Sequence, residues 1–439
     1  MGANAPGLRS YSFRGRILFW YEIMHDTWNN SATAATPPSS ASWSNRRPLM
    51  SIRFLHTADW QLGKTFAGID DPQKRALVQQ ERIQVIRRIG EVARTHQIEF
   101  ILVAGDLFDS STASKATVSA ACSAIGQLGI PVLVIPGNHD HGGPGGLWEQ
   151  SFFQREHSSL APNLRILLKP EPVELDSAWI FPCPLLRRAE STDTTAWLRW
   201  PEALARCSSD KARIVLAHGS TQEFTRQSDD DDTDSAAKNL IDLPRLPDGM
   251  FDYVALGDWH GTKRITPTAW FAGTPELDRF PKGEDHDPGN VLIVVADRGQ
   301  TPVVTSVHTG RFGWREFSFD FAEDTTLAIF RERIETLIGQ RANEDLLRLG
   351  LTGSLGVEAA GQLEQLLESL QARLLRLRLV NQVVVAPTTD EIQALTQRPS
   401  DPLTARVAFQ LVACAAGTDE TAASARIALR ELYAACNRS

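Results

Sequence analysis

No stretch of the 439-residue chain approaches the roughly 18 consecutive apolar residues that a membrane-spanning helix requires. Helical spans are thereby excluded, and no membrane partner is expected. Cysteine is scarce: Cys122, Cys183, Cys207, Cys414 and Cys436 are scattered, odd in number and never spaced Cys-x-x-Cys. That argues against a disulfide framework or a structural zinc site, and for reduced thiols in a cytoplasmic protein. Net positive charge is missing too, the formal balance being -8 at pH 7. A net acidic chain repels phosphate at long range, so contact with DNA would have to come from a local basic surface or from metal ions. No internal repeat is present.

What remains is ordinary for a globular protein, with 42% hydrophobic and 22% charged residues, and the length suggests two or three domains. The first 49 residues stand apart. "RILFWYEIM", ahead of "SATAATPPSSAS", imitates a signal peptide but is short and contains Glu22. Residues 25 to 49, rich in Ser, Ala, Pro and Asn, cannot bury a core. The expectation is a disordered extension over 1–49, with a translation start at Met50 left open, because "MSIRFLHTADW" begins directly on a strand.

From Met50 short apolar runs alternate with helical segments, the pattern of a layered α/β domain. Strands are expected at 52–57, 99–104, 131–136, 212–217 and 252–256, and helices at 73–95, with Ile83, Ile86 and Ile89 on one face, and at 113–128. "AWFAG", "NVLIVVA", "PVVTSV" and "WREFSF" read as hairpins of a second sheet. After about residue 320 comes an α-β-α-β unit whose first helix, carrying Leu327, Phe330, Ile334 and Leu337, would be capped by Asp324. Two or three helices follow from 389, one capped at Thr418. The acidic run at 226–239 reads as a solvated loop.

Five strands end in polar clusters: Asp59 and Gln61; Asp106 and Asp109 in "GDLFD"; Asn138, His139 and Asp140 in "GNHD"; His218 in "AHG"; Asp258 and His260 in "GDWH". Taken singly, each is an ordinary turn, cap or core residue. Together, at strand ends that share one rim in a layered α/β fold, they point to a metal site. Carboxylates, an amide and imidazoles without thiolates suit manganese, iron, magnesium or zinc. So many donors exceed the needs of one ion and match two ions sharing a carboxylate.

These motifs resemble those of the calcineurin-type metallophosphoesterases, and within them the SbcD family of DNA repair exonucleases. The family pattern Asp-x-His, Gly-Asp-x-x-Asp, Gly-Asn-His-Asp, His, Gly-His-x-His runs over residues 54 to 261. "LHTADWQLG" and "VAGDLFDSS" carry the likeness to the repair branch. The resemblance implies a layered α/β fold of two packed sheets flanked by helices over 50–319, a small α/β capping domain over 320–388 and C-terminal helices over 389–439. By position, Asp106 would bridge two divalent ions, with manganese expected and magnesium, iron or zinc as alternatives. Asp59, Gln61 and His260 would complete one site, and Asn138, His218 and Asp258 the other. His139 would face the substrate, oriented by Asp109.

The implied activity is 3′ to 5′ hydrolysis of DNA by a metal-bridged hydroxide, with an SbcC-type coiled-coil ATPase as partner and a homodimer left open. Trp60, Trp259, Arg187, Arg188, Lys263, Arg264 and Arg311 are candidate DNA contacts, although packing beneath its own loop, where it would stiffen the metal site, is the favoured reading of each tryptophan. The alternatives are a phosphatase or phosphodiesterase for a small molecule or phosphoprotein, and a non-catalytic DNA-binding scaffold. Two positions depart from the pattern. Gln61 stands where the family has His, and Asp258 likewise, as Asp59-Trp60-Gln61 and Gly257-Asp258-Trp259-His260 show. Both side chains can still coordinate through oxygen, which favours manganese or magnesium over zinc.

Overall fold

Four apolar runs, β1 (Ile52–Thr57), β2 (Phe100–Val103), β3 (Val132–Val134) and β4 (Leu164–Ile166), lie side by side in parallel. The computed structural model describes residues 51–205, 207, 210–221, 239–280, 286–339 and 341–437, all within the unit Leu49–Ser439. The extension expected at 1–49 and residues 226–238 of the acidic run lie outside the described residues. The crossovers are α1 (Pro72–Thr95), α2 (Lys115–Gly126) and α3 (Ser151–Leu160). Asp71 starts α1 by accepting from the N–H groups of Gln73 and Lys74 ahead of Pro72, and Ser114 starts α2 by accepting from Thr117. Their inward stripes, including Ile86, Ile89, Val118 and Ile125, cover Leu55, Ile101, Val103 and Val132.

The chain then builds a second sheet. β5 (Val173–Glu174) pairs antiparallel with β6 (Ala178–Cys183), and β7 (Ala212–His218) runs parallel to β6. The short helix α4 (Pro201–Leu204) lies between β6 and β7. A two-stranded ladder, β8 (Ser220–Thr221) with β9 (Leu240–Ile241), precedes β10 (Tyr253–Gly257). β11 (Lys263–Arg264) and β12 (Ala269–Phe271) close the edge next to β10. "AWFAG" thus joins the second sheet as expected, but "NVLIVVA" and "PVVTSV" do not. They form β13 (Asn290–Ala296) and β14 (Val303–His308), which complete the first sheet, β13 lying antiparallel to β1 with Val294 opposite Phe54. The reason is the open edge of β1, an apolar strand that needs a partner on that side. The two sheets face each other through Phe54, Leu102, Leu133, Ile180, Ile214, Leu216, Tyr253 and Leu292.

"WREFSF" also departs from expectation: it belongs to a third sheet. There β15 (Gly313–Phe321), β16 (Asp345–Leu355) and β17 (Arg376–Asn381) run parallel, and β18 (Val384–Val385) pairs with the end of β16. α5 (Thr326–Ile338) and α6 (Val357–Arg373) supply the crossovers and pack Phe330, Ile334, Leu363 and Leu370 onto Leu347, Leu349 and Leu351. Asp324 does not cap α5. Its carboxylate accepts instead from the N–H of Gly356, at the start of α6. α7 (Thr389–Thr396), α8 (Pro402–Ala415) and α9 (Glu420–Asn437) pack through Leu395, Ala408 and Leu429. At the start of α9 the capping side chain is Asp419, which accepts from the N–H of Ala422, rather than Thr418. Among the described residues no helix is long and apolar enough to cross a membrane.

A second core, Phe66, Ile69, Val78, Phe280, Phe312, Trp314, Leu346 and Leu375, joins the loop after β1 to the third sheet. Beside it Lys74 on α1 donates to the carbonyls of Gln371 (2.7 Å), Ala372 (3.1 Å) and Leu374 (2.7 Å) at the end of α6. A cation there satisfies carbonyls that the helix leaves open. Lys74→Met should cost about 1 kcal/mol and lower Tm by about 1 to 3 °C. Calorimetry checks this, and an unchanged Tm would mean that water caps those carbonyls equally well.

Candidate metal centre

Because the two sheets stack face to face, the C-terminal ends of β1, β2 and β3 meet those of β7 and β10. His56 fixes that meeting from below. Its ring nitrogens lie 3.0 Å from the Tyr253 hydroxyl and 3.2 Å from the Leu256 carbonyl, across the sheet interface. Burial drives its pKa down to about 3, so it acts as a neutral strut.

Donor atoms of Asp59, Asp106 and His218, all buried, lie within 4.8 Å of one another. His218 Nδ1 donates to the Ala104 carbonyl at 2.7 Å, which turns Nε2 toward the Asn138 amide oxygen (2.9 Å), Asp106 (3.6 Å) and Asp258 (3.8 Å). The Asp258 N–H lies 3.2 Å from both carboxylate oxygens of Asp59. Burial opposes a charge on His218, yet Asp106, Asp59 and Asp258 outweigh it and lift its pKa to about 9. The proton on Nε2 marks where positive charge is wanted. Carboxylates, an amide oxygen and one imidazole around that point fit a divalent, oxygen-preferring cation, which would displace the proton.

The other half is built differently. Burial, opposed by the neighbouring Asp278, lowers the His260 pKa to about 4, and its Nδ1–H donates to Asp278 at 3.0 Å, leaving Nε2 as an acceptor. That acceptor faces the Gln61 side-chain nitrogen at 3.2 Å. The Gln61 oxygen, expected from the sequence to be a metal donor, accepts from Lys64 Nζ at 2.6 Å. Lys64 is also 3.0 Å from Asp278 and 3.6 Å from Asp109, and Arg279 lies 3.4 Å from both Asp278 and His260.

His139 sits at the mouth, 35% exposed. Its N–H donates to Asp106 at 2.9 Å and its Nδ1 to the main-chain carbonyl of Asp109 at 2.8 Å. Asp109 thus orients His139 through its backbone, not its carboxylate. Asp140 joins the two turns by accepting from Gly137 (2.7 Å) and Phe108 (3.0 Å). Burial, with the nearby Asp106 charge, pushes the Asp140 carboxyl up to about 7.

Four ligand candidates, Asp59 (φ 53), Gln61 (φ 41), Asp106 (φ 52) and Asp258 (φ 105), have positive φ. Such conformations cost on the order of 1 kcal/mol each and persist only where surroundings enforce them. Close approach explains two glycines beside these turns: a Cβ on Gly257 would lie 1.9 Å from the Ala104 carbonyl, and one on Gly137 2.1 Å from the Asp106 carboxylate. The enforcing group on the first loop is Arg82. Fully buried on α1, it donates to the carbonyls of Asp59 (3.1 Å), Trp60 (2.6 and 2.9 Å) and Glu276 (2.6 Å) and to the Thr274 hydroxyl (3.1 Å).

The remaining candidates separate. Trp60 is not a rim platform: it is fully buried and donates to the Thr57 hydroxyl, because the left-handed turn at Asp59 points it into the core. Trp259 is half-buried, packed edge-on to His286. Arg187 and Arg188 are exposed on a loop whose Leu185 carbonyl accepts from the N–H of Gly142, just beyond the His139 turn. Lys263 and Arg264 lie on β11, with the Arg264 guanidinium over Trp270. Arg311 pairs with Glu81 and Glu344. Lys64, Arg82, Asp278 and Arg279 belong to no motif of the sequence. Arg82 alone leaves a trace there, as a charge on the stripe formed by Val78, Val85, Ile86 and Ile89.

Residues 52–262 match the family model of the calcineurin-like phosphoesterases. The chain therefore carries a calcineurin-like phosphoesterase domain, a metal-dependent hydrolase of a family whose centre takes two ions. Among solved structures, TT1561 of Thermus thermophilus is similar over 59% of this chain and 100% of its own, at 12% identity and a TM-score of 0.36. A second structure covers the same shares at 11% identity and a TM-score of 0.36.

Arg82→Met leaves several buried carbonyls without a donor and should cost about 2 to 4 kcal/mol. Urea unfolding measures it, and manganese affinity should fall with it as the Asp59 turn relaxes. Separately, groups with raised folded pKa values hold protons more tightly when folded, and the stability this contributes is lost as pH rises through the folded value. For Asp140 the loss ends near pH 7 and for His218 near pH 9. His56 and His260, depressed from 6.5, are largely neutral in both states above that pH. Metal-stripped protein should therefore melt progressively lower from about pH 6.5 to 9, while saturating manganese flattens the decline. Parallel melts with chelator and with manganese read this directly.

Proposed function

We propose that this phosphoesterase domain hydrolyses phosphodiester bonds of DNA, as a repair exonuclease of the SbcD kind acting 3′ to 5′ with manganese. The observation that carries the reading is His139: a partly exposed imidazole, fixed by the Asp109 carbonyl, with Nε2 3.9 Å from the Asp106 carboxylate of a cluster suited to cations. Exposed Arg187 and Arg188 on the adjoining loop favour a substrate with phosphates beyond the one being cleaved.

When bound, divalent ions supply Lewis acidity toward a phosphoryl oxygen and lower the pKa of water. The chain's own residues do the rest. Asp106 carries the charge that holds cations and, by accepting from the His139 N–H, fixes the imidazole relative to them. With Nδ1–H spent on the Asp109 carbonyl, His139 has Nε2 left to hydrogen-bond or hand a proton to the departing oxygen. Arg187 and Arg188 meet phosphates on the flanking nucleotides. The proposed partner, a coiled-coil ATPase, would use the C-terminal helices, where Leu403, Phe409 and Ile427 are exposed.

The test offers the full chain with manganese single-stranded DNA, and duplexes blocked at either end, beside an aryl phosphodiester and an aryl phosphomonoester. Mononucleotide release from unblocked 3′ ends is expected, and hydrolysis of the monoester without loss of DNA would overturn the reading. Asp106→Asn should lose both metal and activity. His139→Gln should keep its metal and lose roughly 100- to 10,000-fold in turnover, the scale of a positioned proton-transfer group. Metal content measured alongside kcat separates the two roles.

A further inference from the structure

We propose that the Lys64 ammonium supplies the positive charge in the Gln61–His260 half of the centre, so that the protein binds one divalent ion tightly, beside Asp59, Asp106, Asn138, His218 and Asp258, and admits a second only by displacing Lys64. This rests on the metal-dependent reading of the same centre.

The donor atoms of that half are already committed. The Gln61 oxygen accepts from Lys64 at 2.6 Å, and the His260 Nε2 lone pair faces the Gln61 amide nitrogen at 3.2 Å. Flipping the amide does not free them, because it would set an NH2 group against the ammonium, donor against donor. Rotating His260 would break its bond to Asp278. The group that stands in the family's histidine position therefore turns its nitrogen, not its oxygen, toward its metal-site neighbour.

Lys64 is built into this position. The Lys64 N–H bonds back to the Gln61 carbonyl at 3.2 Å in a turn closed by Gly63 (φ 90), and the Gln79 amide holds the carbonyls of Lys64 and Thr65 at 3.4 and 3.1 Å. Three acceptors, Gln61, Asp278 and Asp109, converge on its nitrogen, and its side chain is only 23% exposed. Charge is divided accordingly. Asp278 and Asp109, the carboxylates peculiar to this half, have Lys64 and Arg279 beside them. On the other side Asp59, Asp106 and Asp258 crowd a single imidazole. An ammonium a few ångströms away would weaken a second divalent ion by roughly 100-fold or more.

Titration of the metal-stripped full chain with manganese, by calorimetry and by electron paramagnetic resonance, decides the matter. Wild type should take up one ion tightly with the signal of an isolated manganese, and a second at least ~100-fold more weakly. Lys64→Met should raise the second affinity and produce a spin-coupled pair at two equivalents, whereas Lys64→Arg should behave like wild type. Two ions bound equally tightly by wild type would overturn the proposal while leaving the metal-dependent reading intact, and this holds even if Lys64→Met fails to fold. A folded Lys64→Met that still binds only one ion would also overturn it. No binding to wild type would instead bring down the metal-dependent reading itself.

Discussion

Everything at this centre follows from crowding carboxylates where two sheets meet and water is scarce. Asp59 and Asp106 are almost wholly buried, and Asp258 leans over them. Like charges so placed repel strongly unless a cation or a proton lies between them. Without a metal the protein answers with a proton on His218, whose pKa rises to about 9. The same demand accounts for the backbone. Asp59, Asp106 and Asp258 reach a common point only from left-handed turns, and Arg82, threaded beneath the first of them, gives the turn's carbonyls the donors that a strand would otherwise provide.

The two halves meet this demand by different means. Around His218 the acceptors outnumber the donors, and an ion entering gains the full charge of the cluster. Around His260 the polar groups are already paired in a closed circuit, Lys64 to Gln61, Gln61 to His260, His260 to Asp278 and Asp278 back to Lys64. Such a circuit neutralises charge without polarising a ligand as strongly as a divalent ion does. The glutamine amide serves both ends of this circuit, its oxygen accepting from the ammonium on one side and its nitrogen facing the imidazole lone pair on the other.

Much of the centre is legible in the amino-acid order alone, and where that order misleads the reasons are physical. Asp59, Asp106, Asn138, His218 and Asp258 stand out because each follows a short apolar run, and strand ends in layered α/β folds share a rim. The placement of β13 and β14 does not, since an apolar strand buried on both faces carries no mark of which sheet receives it. Helix caps differ from expectation by a residue or by an element: Asp419 and not Thr418 caps α9, and Asp324 serves the start of α6 across space instead of α5 along the chain. Trp60 remains open to a rim role in the sequence because strand alternation gives no warning of a left-handed residue beside it, and the structure gives it the packed role instead. Lys64, Asp278 and Arg279 carry no periodic signal at all, because their roles arise only when residues 64 and 278 are brought together.

The loop that carries Lys64 has a second attachment, which ties the chemistry to the far part of the chain. Past Lys64 it runs through Phe66 and Ile69, whose side chains lie in one cluster with Trp314, Leu346 and Leu375 of the third sheet. At Gly68 the Arg376 guanidinium of β17 comes within 2.7 Å of where a Cβ would stand, so the loop and the third sheet approach closely there. On the opposite flank Glu276 accepts from the N–H groups of Arg311 and Phe312 and pairs with Arg88 of α1, while its own carbonyl binds Arg82. The segment entering the third sheet and the segment shaping the metal loop are thus held by the same pair of arginines. Packed groups of this kind shift together or not at all. The Lys64 loop by its packing and the Asp59 turn through Arg82 and Glu276 are thus both tied to the third sheet, whereas His218 is anchored to Ala104.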